Sequence, residues 1–78
     1  MSRRTLPGLP LMYEGDSYII WLTEVGTKCL RIAGIHRYRN NQNSEAEEVD
    51  FYDLDDTGRS AVIRQIQRRY AMKSVIPQ

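Results

Sequence analysis

The segment Asp53-Leu54-Asp55-Asp56-Thr57-Gly58-Arg59 gathers carboxylates as catalytic loops do. Two carboxylates can hydrolyse a bond by general acid and base catalysis. That chemistry requires a defined separation and one raised pKa, and nothing in the sequence supplies either. The same residues suit a helix start. The first turn of a helix carries unpaired N–H groups and a partial positive charge. Asp56, Thr57 or Ser60 can cap those groups, with Asp53 and Asp55 adding favourable charge. Arg68, Arg69 and Lys73 follow near the other end, where cations are favoured.

Two other readings of the segment fail on chemistry. Asp53, Asp55, Thr57 and Gly58 have the spacing of the first half of a calcium loop, but Arg64 stands where a bidentate Glu is required. The stretch VDFYDLDDTG (49–58) locally resembles the opening motif of haloacid-dehalogenase-like phosphotransferases. That resemblance covers about ten residues. It implies a doubly wound sheet several times larger than this chain can build, a downstream lysine and a distal acidic pair. Lys73 is the only later lysine, and no Asp or Glu follows Asp56. His36 is the single histidine and has no companions for a metal site. No catalytic residue, metal or cofactor is expected.

The surrounding elements are those of a small α+β domain. Seventy-eight residues predict one domain that buries only roughly 60% of its unfolded surface, so a homodimer or partner surface is an open alternative. Hydrophobic residues are 41% and charged residues 27%, the balance of a globular chain. Tyr18–Leu22 is the longest apolar run, too short to span a membrane. No signal-peptide core follows Arg3 and Arg4, because Pro7, Gly8 and Pro10 interrupt. The expected location is cytoplasmic. Cys29 is the only cysteine, which excludes an internal disulfide and reads as a core thiol.

Residues 1–12 read as an arm with an edge strand near Leu9–Tyr13. Residues 13–54 read as an antiparallel sheet. Its strands are SYIIWLTEV (17–25), KCLRIAGIHRYR (28–39) and VDFYDL (49–54). Gly26-Thr27 is a candidate hairpin turn, Gly34 a candidate bulge, and 40–48 a polar loop. From 57 to 74 the periodicity is helical, with Val62, Ile63, Ile66 and Tyr70 on one face and Arg64 and Arg68 opposite. The expected architecture is a three- or four-stranded antiparallel sheet, open or curled like a small barrel, with a C-terminal helix on one face. One helix covers one sheet face, so Ile19 and Trp21 need the arm, a curled sheet or a partner.

Charge is segregated along the chain. Residues 41–56 hold seven acids and no base, whereas 57–78 hold five bases and no acid. Two binding functions follow. In the first, Arg64, Arg68 and Arg69 on the helix join Arg31, Arg37 and Arg39, which share one parity on a strand. Interleaved with Trp21 and Tyr38, they would contact nucleic acid as a transcription-regulating accessory factor does. In the alternative, Trp21, Glu45, Glu47, Glu48, Asp50 and Asp53 present an acidic surface to a basic groove on a host protein. That is the manner of a phage or mobile-element inhibitor or adaptor. A third reading pairs the charges internally, with Glu47, Glu48 or Asp50 meeting Arg64 or Arg68.

Overall fold

The structure is a computed structural model and describes residues 4–39, 45–71 and 73–77. Among the described residues six strands form one open sheet, with a helix packed on one face. Strands β1 (Arg4–Thr5) and β2 (Leu9–Tyr13) lie in line along one side of β3 (Asp16–Val25). Strand β4 (Cys29–Tyr38) lies on the other side of β3. Beyond β4, β5 (Glu47–Val49) pairs antiparallel with 35–37, and β6 (Ser74–Ile76) pairs parallel with 29–31. The α+β expectation holds in its open form, and the edge strand at Leu9–Tyr13 is present.

The β2–β3 turn is Glu14-Gly15, and both residues have positive φ (50° and 84°). That backbone matches the right-handed twist of the strands it joins. The β3–β4 turn spans three residues, Gly26 to Lys28, and not the two expected; Gly26 takes φ 70°. The expected bulge is also present. Trp21 pairs with Gly34 and Leu22 with Ile32, which leaves Ala33 without a partner on β3.

Alternation then builds the core. Leu9, Tyr18, Ile20, Leu22, Leu30, Ile32 and Ile35 are buried on the face that meets α1 (Asp56–Arg69). The helix contributes Val62 and Ile66, with Ile63 and Tyr70 packed at the margin. Val49, Phe51 and Leu54 close the same core from the connection between β5 and α1. The opposite face is covered in part by the arm. A Cβ on Gly8 would stand 2.7 Å from Ile19 and 3.1 Å from the Trp21 ring, so only glycine fits there unshifted. Trp21 also donates its indole N–H to His36 Nδ1 at 2.9 Å.

Two elements end several residues before the sequence reading has them. The third strand is short. After Val49 the chain enters a 3-10 helix (Phe51–Asp53), capped by Asp50, which accepts the Tyr52 N–H at 3.0 Å. The helix ends at Arg69 and not at 74, closed by Tyr70, whose N–H bonds Ile66 O at 2.8 Å. Residues beyond it turn back as β6, with Ser74 N–H on Lys28 O at 2.8 Å. Lys73 serves no helix end; it reaches Glu24 at 3.2 Å and Thr27 O at 3.0 Å. The polar loop 40–48 lies outside the described residues from 40 to 44. No helix among the described residues is long and apolar enough to cross a membrane.

Candidate nucleic-acid interface

The aspartate-rich segment starts the helix. Asp55 is the N-cap: its carboxylate accepts the Gly58 N–H at 2.7 Å and the Tyr13 hydroxyl at 3.1 Å. The Thr57 hydroxyl sits 2.7 Å from the same Tyr13 oxygen, tying the helix start to β2. The Gly58 N–H bond, with the Tyr13 hydroxyl next, holds the Asp55 carboxyl below its ordinary pKa. Asp56 pairs with Arg59, whose other guanidinium nitrogen reaches Leu54 O. Asp53 is exposed and makes no ion pair among the described residues. No group of three or more His, Cys, Asp or Glu among the described residues could hold a metal ion.

The strand arginines do not share a face. The extra residue Ala33 shifts the alternation, so Arg31 lies on the face of Trp21 and Thr23, whereas Arg37 lies on the core side beside Tyr18. Equal parity in sequence is therefore opposite placement in the sheet. Arg37 meets Glu47 at 2.9 Å, and Arg39 meets the same carboxylate at 3.4 Å. That bond from Arg37 holds the Glu47 carboxyl below its usual range, and the Glu47 partnership raises the Arg37 pKa in turn. The internal pairing expected for Glu47 thus exists, but with strand arginines and not with Arg64 or Arg68. Arg31 keeps its Nε buried without a hydrogen-bond partner. Trp21 and Tyr38 are not a common aromatic platform for these bases. Trp21 is committed to His36 and the arm, while Tyr38 is exposed at the far end of β4.

The helix arginines are arranged differently. Arg64 and Arg68 are exposed, one turn apart, and neither meets an acid among the described residues. Arg69 lies over the Tyr70 ring, 5.2 Å from its centroid. Arg68 and Arg69 line a shallow groove against Leu9, beside Gln65, which bonds Pro10 O at 2.9 Å. Arg64 belongs to a second, larger groove of about 510 Å³ between α1 and the 3-10 helix, which Arg59, Ser60, Gln67 and Tyr52 also line. No acid lines it.

The acidic set divides as well. Glu48, Asp50 and Asp53 line a groove of about 300 Å³ beside Ala33 and Gly34, while Glu47 faces the strand arginines and Glu45 is exposed nearby in the chain. Trp21 does not line that groove. The sequence reading missed Tyr52, Ser60 and Gln67 as groove residues. The signal for Tyr52 was present: the buried residues Val49, Phe51 and Leu54 are spaced by two and then three, which a continuous strand cannot satisfy. Compared with family models, curated proteins and solved structures, the chain finds no match.

Proposed function

We propose that this chain is a small, non-enzymatic, cytoplasmic binding protein that contacts nucleic acid through the outer surface of α1, as a regulatory accessory factor. The observation that carries the reading is the pair Arg64 and Arg68, exposed one turn apart with no acid among the described residues to neutralise them. Arg69 extends the positive surface at the helix end, whereas Arg59 is paired with Asp56. Guanidinium groups free of protein carboxylates retain their full attraction for phosphate, and phosphate neutralisation dominates nucleic-acid affinity. Arg37 and Arg39, held on Glu47, contribute less.

Titration of labelled DNA and RNA, single- and double-stranded, across a salt series tests this. Affinity falls linearly on a log–log plot against salt, and Arg64→Ala with Arg68→Ala reduces that slope by about one phosphate contact per arginine. An unchanged slope in the double variant rejects the reading. A second reading, a protein-directed inhibitor or adaptor, is favoured by the groove that Glu48, Asp50 and Asp53 line. It predicts that Glu48→Gln with Asp53→Asn abolishes partner capture while nucleic-acid binding is absent in the parent chain.

A further inference from the structure

We propose that the groove between α1 and the 3-10 helix seats one unpaired base and its phosphate, so the ligand is single-stranded nucleic acid; this rests on the nucleic-acid reading above. Tyr52 is the first reason. The residue is 62% exposed at the groove rim, although a large ring left in water gains nothing for folding. It is nevertheless held in position. Its N–H is fixed on the Asp50 carboxylate at 3.0 Å, and its ring meets buried Phe51 edge-to-face at 5.2 Å and 89°. An exposed, supported ring is a platform for a base.

The rest of the groove supplies the groups a nucleotide needs. Ser60, Arg64 and Gln67 follow at helical spacing along one side of α1. The Gln67 amide offers both a donor and an acceptor to a base edge, the Ser60 hydroxyl either one, and the Arg64 guanidinium a fork for phosphate. Asp53, next to Tyr52 in sequence, lines the separate acidic groove, and Asp56 is paired with Arg59. The groove volume, about 510 Å³, lies in the range of small-ligand sites. A duplex keeps its bases stacked on one another and would meet only the arginines. A splayed base uses the ring, the amide and the cation together.

The test is fluorescence anisotropy at low and rising salt, using the full chain with DNA and RNA single strands of about 12 nucleotides and the matching duplexes. Melting curves check that each variant is folded. Single strands bind more tightly than duplexes. Tyr52→Ala weakens single-strand binding by about tenfold without changing the salt slope, and Tyr52→Phe restores it. Arg64→Gln instead reduces the slope by about 0.7, the value for one phosphate contact on a single strand. Duplex binding as tight as single-strand binding, or no effect of Tyr52→Ala, overturns the base seat and leaves the helix-surface reading standing. No binding of any nucleic acid at low salt overturns both.

Discussion

The connection 45–56 and the outer face of α1 are both dense in charge, but the fold treats them in opposite ways. In the connection the carboxylates mostly have work in the fold: Asp50 caps the 3-10 helix, Asp55 caps α1, Asp56 meets Arg59, and Glu47 holds two strand arginines. On α1, Arg64 and Arg68 have no such role. A count of charges along a chain therefore says little about which charges a partner will meet. Asp50 and Asp55 are anchored because they adjoin chain reversals, where N–H groups need acceptors, and Glu47 and Asp56 because arginines stand beside them. The helix bases follow a cylinder whose own carbonyls are already bonded.

The contrast predicts a gradient of stability effects. Phe51→Ala is the most severe, since the ring is buried where the connection closes the core; about 3–5 kcal/mol is expected, read by urea denaturation. Gly58→Ala comes next and inverts a general rule. Alanine is the better helix former by about 1 kcal/mol, yet here its Cβ would lie 2.9 Å from the Asp55 carboxylate and 3.3 Å from Leu54. The variant melts below the parent; a higher melting temperature would contradict the cap geometry.

Asp55→Asn sharpens the comparison through pH. The folded pKa of Asp55 lies below its unfolded value. Its stabilisation is therefore complete above the ordinary carboxylate pKa and is lost as pH falls through the folded one. Asparagine keeps a capping oxygen but does not titrate. Melting temperature against pH should lose part of its acid limb in this variant, and likewise in Glu47→Gln, whose carboxylate shifts in the same direction. At the bottom of the gradient, Arg64→Ala with Arg68→Ala changes stability by no more than about 0.5 kcal/mol, as exposed side chains without partners do. A larger loss would show that the helix face is structural after all.

Much of the scaffold was legible. The β3–β4 hairpin, the edge strand, the bulge and the apolar stripe of α1 each rest on a local pattern that the tertiary structure leaves intact. The misses have a common origin in short range. Val49 and Phe51 alternate as a strand would, but Asp50 offers its carboxylate to Tyr52 N–H and turns the chain into a 3-10 helix. The stretch after Arg69 lacks a stop signal as strong as glycine. Its three-residue strand is defined by β4 and not by its own sequence. The candidate site was legible on the helix and not on the strand. Arg64 and Arg68 are placed by helical period alone, whereas the placement of Arg37 depends on one unpaired residue upstream.

That residue has a consequence for how the chain tolerates change in length. Ala33 is exposed and has no partner on β3, and its neighbours Ile32 and Gly34 pair with the consecutive residues Leu22 and Trp21. Removing Ala33 would leave an uninterrupted ladder in which Leu30, Ile32 and Ile35 still point into the core. A deletion in the middle of a central strand ordinarily turns every later side chain over. Here it would relax only the local bend and twist that a bulge imparts. The interior of β4 thus carries a spare residue, and a chain shorter by one can keep the same two faces.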